Sequence, residues 1–164
     1  MSSLGLFSAE EVYDMAILTE QNGRAFYEAA AKAASTESVA KLMHNLAEAE
    51  RNHEATFRQM KEASPQHPPR ESYPGEEQEY MGALLFSRVL PDQATGTRAV
   101  AAMRTDAEAL DFAIAFEKDT ILFLYEMRDI VSAEEAPKVG ALLAQEKSHV
   151  RILSKLKQDL QEGR

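Results

Sequence analysis

The chain has 164 residues, a net charge of -9 and no cysteine. That length suits one domain with a core that needs no disulfides, and the missing thiols exclude thiolate metal sites and iron–sulfur clusters. The acidic balance argues against a nucleic-acid surface. Because residues 1–7 lack the pattern of a leader and no stretch approaches the length of a membrane span, we expect a soluble, cytoplasmic protein with no membrane partner.

A first helix is predicted over residues 9–34. It starts with a capping box, in which Ser8 and Glu11 can each bond the backbone amide of the other. The three-and-four periodicity places Glu20 on a face that is otherwise small and apolar, and Tyr27 lies on the same face. Glu20 is therefore a candidate buried carboxylate.

A second helix is predicted over residues 36–63, capped by Ser35 or Thr36. The apolar residues of its inward face are interrupted by Glu50 and His53. A single Glu-x-x-His motif is more often a surface pair than a metal site. A buried glutamate and histidine nevertheless need a partner, and a metal ion would serve both.

The connection over residues 64–105 differs from the long helices around it. Four prolines near its start exclude a helix there, and a shorter helix over residues 76–90 is apolar around most of its circumference. We expect other parts of the protein, or a second subunit, to cover that helix on more than one side. Gly96 is predicted to break the chain before a short helical piece over residues 97–104. A connection of about 40 residues is long enough to cross the length of a bundle, as in ferritin-like connectivity.

A third long helix is predicted over residues 106–131. Thr105 and Glu108 form a second capping box at its start. Its apolar face carries one acid, Glu117.

A fourth long helix is predicted over residues 133–160, with Pro137 delaying its regular part by a turn. Its inward face is apolar except for Glu146 and His149. This helix therefore repeats the Glu-x-x-His motif of the second.

The two halves of the chain read as diverged copies. Residues 16–20 align with residues 113–117 at an offset of 97, and the two Glu-x-x-His motifs align at an offset of 96. Two offsets that differ by a single residue thus relate two single acids and two Glu-x-x-His motifs on four helices, which is the ligand set of a carboxylate-bridged dimetal site in a bundle core. The predicted metal ligands are Glu20, Glu50, His53, Glu117, Glu146 and His149.

The charge of this ligand set predicts its cations. Four buried carboxylates repel one another and are costly to desolvate, and two divalent ions would cancel their formal charge. Oxygen ligands with one imidazole per metal suit iron or manganese, whereas the missing sulfur argues against a copper(I) or structural zinc site. We therefore predict two iron ions, with manganese or zinc as substitutes.

Four segments carry a family resemblance: EQNGRAFY at 20–27, ERNH at 50–53, AIAFEKD at 113–119 and EKSH at 146–149. Together they resemble the ferritin-like domain of rubrerythrins. The resemblance implies an all-α, ferritin-like four-helix bundle with a long helical crossover between the second and third long helices. It also implies a di-iron centre that reacts with peroxide or oxygen, in peroxide reduction or as a ferroxidase. Tyr27 matches a tyrosine that lies beside the metals in that family.

The sequence departs from rubrerythrins in two respects. The chain lacks the cysteines of a rubredoxin domain, so its electrons must come from a separate donor protein or reductant. Thr120 stands where the family has an additional glutamate, and Asp119 is predicted to point to a different face, which bears on peroxidase cycling. The resemblance also implies a homodimer or higher homo-oligomer.

Two other classes of function remain open at this point. One is an iron-storage, iron-delivery or structural dimetal protein that does not turn over; the other is an oxygenase, which would need an apolar channel beside the metals. The remaining polar residues are predicted to be solvated. These are His44, His67, Glu28, Glu48, Glu54 and Glu126.

Overall fold

The computed structural model describes residues 7–64 and 75–164, and its regular elements are all helices. They are α1 (Ala9–Ala33), α2 (Glu37–Ala63), α3 (Gly75–Ser87), α4 (Gln93–Ala102), α5 (Asp106–Ile130) and α6 (Ala136–Gln161). The predicted all-α fold is confirmed. Within the described ranges, no helix is both long and apolar enough to cross a membrane. His67 and the proline-rich part of the connection lie outside the described residues.

The four long helices form two antiparallel pairs, α1 with α2 and α5 with α6. Lys61 at the end of α2 bonds Asp14 near the start of α1, at 2.5 Å. At the opposite end of the bundle, Asp106 at the start of α5 accepts hydrogen bonds from the backbone amides of Ser35 and Thr36. The connection from α2 to α5 therefore runs the length of the bundle, which is the predicted ferritin-like arrangement.

The first and last long helices begin as their sequences dictate. Ser8 and Glu11 bond the backbone amides of each other, so α1 opens with the predicted capping box. α6 begins at residue 136 rather than 133, because Ser132 and Glu135 bond each other within the preceding turn. Pro137 then occupies the first turn of α6, where its missing amide costs nothing.

The crossover helices differ from the prediction. α3 ends at residue 87 rather than 90, and the predicted helix over 97–104 is wrong because α4 begins at Gln93 and ends at Ala102. Gly96 does not break the chain but lies buried within α4. A Cβ atom there would lie 3.1 Å from the Cβ of Phe26 and 3.0 Å from the Cδ2 of Leu90. This glycine thus allows α4 to pack closely against α1.

The core of the bundle divides into two apolar clusters. One lies near the start of α1 and the end of α5, and the other near the end of α1 and the start of α5. The predicted ligands fall between these clusters on every long helix. The largest buried apolar residues are Tyr13, Phe57, Met81, Leu124 and Met127 in the first cluster, and Phe26, Tyr27, Met43, Leu90, Leu110 and Leu153 in the second.

The described residues do not cover α3 on more than one side. Met81 is fully buried against the first cluster, whereas Tyr80 and Phe86 are 45% and 92% exposed. Leu122 on α5, the helix against which α3 packs, is 43% exposed. Large apolar side chains therefore remain in contact with solvent on and around the crossover.

Candidate metal centre

The four long helices bring all six predicted ligands together at the centre of the bundle. Each side chain is buried, with exposed fractions from 0% for Glu50, Glu117 and Glu146 to 9% for His149. They form two overlapping groups, and within each group the potential ligand atoms lie within 4.8 Å of one another. The His53 position comprises Glu20, Glu50, His53 and Glu146, and the His149 position comprises Glu50, Glu117, Glu146 and His149.

The two histidines face the same carboxylate from opposite halves of the chain. The Nδ1 atom of His53 lies 2.7 Å from one oxygen of Glu146, and that of His149 lies 2.8 Å from the other. The imidazole rings are nearly parallel, with centroids 5.7 Å apart. Neither contact is aligned as a hydrogen bond. The imidazoles and the carboxylate therefore converge on common points rather than satisfying one another.

The centre contains many buried polar atoms without a hydrogen-bond partner in the part of the chain that the structure describes. They are both carboxylate oxygens of Glu20, Glu50 and Glu146, one oxygen of Glu117, and Nδ1 of His53 and His149. Each unsatisfied buried group costs about 1–3 kcal/mol. Two divalent cations would satisfy them and cancel four carboxylate charges. The residues therefore fit a dimetal site, and oxygen ligands with one imidazole per position suit iron or manganese.

The carboxyl groups of the centre titrate far from their ordinary range when no cation is bound. Burial raises the pKa of Glu20 and Glu50 well above the usual value, and repulsion from neighbouring carboxylates adds to it. Burial also raises the pKa of Glu117, to about 8. Burial acts on Glu146 in the same direction, but the two histidines outweigh it and lower its pKa to about 2. One carboxylate is thus ionised at neutral pH while the other three tend to hold protons.

The histidines are shifted toward their protonated forms. Burial alone lowers the pKa of His53, but the nearby Glu146 carboxylate outweighs it and raises the pKa to about 9. For His149, Glu117 and Glu146 together outweigh burial and raise the pKa to about 10. Protons and metal ions must therefore compete for the same atoms.

Tyr27 lies beside the centre. Its hydroxyl is buried and donates a hydrogen bond of 2.5 Å to Oε1 of Glu117. Burial, with the surrounding carboxylates, raises the pKa of Tyr27 well above its usual value. The phenol therefore stays protonated and acts as a hydrogen-bond donor.

Gln145 and Glu54 contact the centre in ways that the sequence pattern did not indicate. Oε1 of Gln145 lies 2.9 Å from Nε2 of His53. The prediction that Glu54 is solvated is wrong: the side chain is buried and accepts hydrogen bonds from Gln21 on α1 at 2.9 Å and from Arg24 at 3.1 Å. Burial raises the pKa of Glu54, but these partners and an arginine one turn further along α2 outweigh it and lower the pKa.

The other described polar residues that were predicted to be solvated are exposed or half-buried. His44 and Glu28 are exposed, and Glu48 and Glu126 are half-buried. Asp119 accepts a hydrogen bond from the backbone amide of Val89, so it faces the crossover. These residues lie outside the two ligand groups.

Thr120 is buried, but it offers no carboxylate to the centre. Its hydroxyl donates to the backbone oxygen of Phe116, one turn earlier on α5. A cavity of about 20 Å³ lies between α1, the crossover and α5, and a cavity of that size holds about one water-sized molecule. Its lining includes Thr19, Leu90, Phe116, Thr120 and Phe123.

Gly23 sets the approach of α1 to the centre. A Cβ atom there would lie 2.6 Å from the ring of Phe116 and 3.1 Å from Oε2 of Glu50. We expect Gly23→Ala to destabilise the protein by about 1–3 kcal/mol through overpacking, measured by chemical unfolding. Gly140→Ala is the matched control, since its Cβ would meet nothing within 4 Å and helical alanine is favoured by about 0.5–1 kcal/mol. Equal effects of the two changes would contradict the packing argument.

Comparisons with known proteins agree with this architecture. The family model described as Rubrerythrin matches residues 11–157, a span that includes all six predicted ligands. The solved structure of a proposed ferritin-like diiron-carboxylate protein from Thermotoga maritima is similar, with a TM-score of 0.73 and 27% sequence identity. The similarity covers 93% of this chain and 96% of that chain. No curated protein sequence matches this one.

Proposed function

The chain belongs to the rubrerythrin family, and on that basis we propose that it is a non-haem di-iron oxidoreductase that uses peroxide or oxygen as its oxidant. The observation that carries the proposal is the convergence of unpartnered carboxylate oxygens and imidazole nitrogens in a fully buried layer. Two irons would be held at the His53 and His149 positions. Glu50 and Glu146 belong to both positions and are the candidates to bridge them.

Bound iron would supply the electrons that reduce the oxidant. The chain would support that chemistry by excluding bulk water from the centre and by orienting a ligand carboxylate. The apolar clusters on either side of the ligand layer keep bulk water out. Tyr27 holds one oxygen of Glu117 through its hydroxyl.

In this proposal, the electrons for repeated turnover come from outside these 164 residues. Because the sequence has no cysteine, it has no thiolate-ligated iron to serve as a donor. A separate donor protein or small reductant is therefore part of the proposal. Thr120 stands where rubrerythrins have an additional glutamate, and it supplies no carboxylate to the centre. Because that difference bears on peroxidase cycling, the proposal includes both peroxide reduction and ferroxidase activity.

An anaerobic titration with ferrous iron, followed by rapid mixing with oxygen or peroxide, tests this function. We expect saturation at about two irons per chain, oxidation on mixing, and repeated turnover once a donor is added. Faster reaction with peroxide would identify a peroxidase, and faster reaction with oxygen a ferroxidase. A single reaction that stops despite the donor, or no oxidation at all, would replace the proposal with a storage or structural role.

The exposed apolar residues of the crossover support a homodimer or larger homo-oligomer as part of this proposal. Tyr80 and Phe86 on α3 and Leu122 on the neighbouring α5 are the exposed apolar residues of this region. We expect light scattering to give at least a dimer mass for the purified chain. Phe86→Asp should shift that mass toward the monomer, and a monomeric unmodified chain would contradict the expectation.

A further inference from the structure

We propose that the two metal positions are inequivalent and fill in order, the His53 position first, because Gln145 positions the His53 ring and, within residues 7–64 and 75–164, no equivalent residue positions His149. This inference rests on the proposed dimetal site and adds to it. It concerns residues outside the ligand set and the order of metal occupancy.

The hydrogen bond from His53 to Gln145 determines which ring nitrogen faces the metals. Nδ1 of His53 lies among the ligand carboxylates, 2.7 Å from Glu146 and 3.5 Å from Glu20. A neutral imidazole that binds a cation through Nδ1 carries its proton on Nε2. The Oε1 atom of Gln145 lies 2.9 Å from Nε2 and accepts a hydrogen bond from that N–H group. Gln145 thus orients the His53 ring before the metal arrives, and it favours the Nε2–H tautomer once a cation has displaced the proton from Nδ1.

The internal repeat places no such acceptor beside His149. Gln145 immediately precedes Glu146, and the equivalent position, 96 residues earlier, is Ala49, which precedes Glu50. Among the described residues, no side chain accepts a hydrogen bond from Nε2 of His149. His149 is also more exposed than His53, at 9% against 2%. The second imidazole is therefore less constrained than the first.

A group of polar contacts between α1 and α2 adds to the difference between the two metal positions. Glu54, next to His53, bonds Gln21, next to Glu20, and also Arg24. These contacts join α1 to α2 beside two ligands of the His53 position. The repeat-equivalent residues in the second half are Val150, Lys118 and Ile121, which cannot reproduce the arrangement of a carboxylate with an amide and a guanidinium.

The carboxylates of Glu20 and Glu117 also favour the His53 position over the His149 position. Both oxygens of Glu20 lack a hydrogen-bond partner, so both are available to a cation at the His53 position. One oxygen of Glu117 already accepts the hydrogen bond from Tyr27, which leaves one unpartnered oxygen for the His149 position. The His53 position is therefore better preorganised and has more free donor atoms, whereas the His149 position is the one from which metal exchanges.

Anaerobic titration with cobalt(II), followed by calorimetry and visible absorption, tests the order of occupancy. We expect two resolved binding steps in the unmodified chain, separated by about tenfold or more in affinity, the lower end of the effect of outer hydrogen-bond partners on metal binding. Gln145→Ala should weaken the first step and leave the second unchanged, while Gln145→Glu, which keeps an acceptor, should restore it. Gln158→Ala, an exposed glutamine on the same helix, is the matched control.

Spectroscopy of the zinc-loaded protein distinguishes ring positioning from a general structural effect. Selective ¹⁵N labelling of histidine should show a change at the His53 ring in Gln145→Ala, with the His149 ring unaltered. Two equal binding steps in the unmodified chain, or a Gln145→Ala variant that leaves both steps unchanged or weakens them equally, would overturn the inference while leaving the dimetal site intact. Failure of the unmodified chain to bind two ions would instead overturn the proposed function.

Discussion

Replacing Glu50 and Glu146 together by alanine should abolish metal binding at both positions and leave a folded helical bundle. The reason is that these are the two residues common to both ligand groups. The unmodified chain should bind about two divalent ions, and the double variant none. Metal analysis after dialysis measures the stoichiometry, and circular dichroism measures the helical content.

The stability of the metal-free double variant separates a ligand role from a structural one. Both oxygens of Glu50 lack a hydrogen-bond partner, so removing that carboxyl group relieves about 1–3 kcal/mol. Glu146 instead lies 2.7 Å from His53 and 2.8 Å from His149, and removing one member of a buried ion pair costs about 3–5 kcal/mol. Each methylene lost costs about 0.8 kcal/mol more. We therefore expect the metal-free variant to remain folded but to melt below the metal-free parent, and added metal to raise only the melting temperature of the parent.

Glu48, which lies on α2 like Glu50, provides the control. Glu48 is half-buried and pairs with Arg51 at 3.1 Å, so Glu48→Ala should retain both ions and lose little stability. Two ions per chain in the double variant would contradict the assignment of Glu50 and Glu146 as shared ligands. A double variant that fails to fold would show that these glutamates stabilise the bundle without metal.

The clustering of the six predicted ligands could be expected from the sequence, because the pattern is repeated along the chain. Glu20 and Glu117 are single acids on apolar helix faces, and each half contains one Glu-x-x-His motif at the same offset. Helical periodicity alone places such residues inward, and four converging helices then bring them together. The structure places them in one buried cluster, as that reasoning requires.

The residues around the ligands were less predictable because their roles depend on other helices. Glu54 is buried through partners on α1, and the periodicity of α2 gives no sign of them. Gln145 contacts a histidine 92 positions away in sequence. Gly96 illustrates a different ambiguity, since glycine marks chain breaks and also close helix packing. Only the neighbouring Phe26 and Leu90 show which of the two applies.

The affinity of the centre for metal should rise steeply with pH between about 6 and 9. With no cation bound, the pKa of Glu117 is about 8, those of His53 and His149 are about 9 and 10, and those of Glu20 and Glu50 lie well above their usual value. All of these groups hold protons at neutral pH that a cation must displace. Lowering the pH therefore weakens binding, and raising it strengthens binding, by about tenfold per pH unit for each proton released.

Calorimetric titration with cobalt(II) in buffers of different ionisation enthalpy counts those protons directly. We expect more than one proton to be released per chain at pH 7, with affinity still increasing above pH 8. A site built from unperturbed ligands would behave differently, because a histidine of pKa about 6.5 is already neutral above pH 7.5 and its metal affinity levels off there. A plateau by pH 7.5 without proton release would therefore show that the buried carboxylates and imidazoles are not protonated before the metal binds.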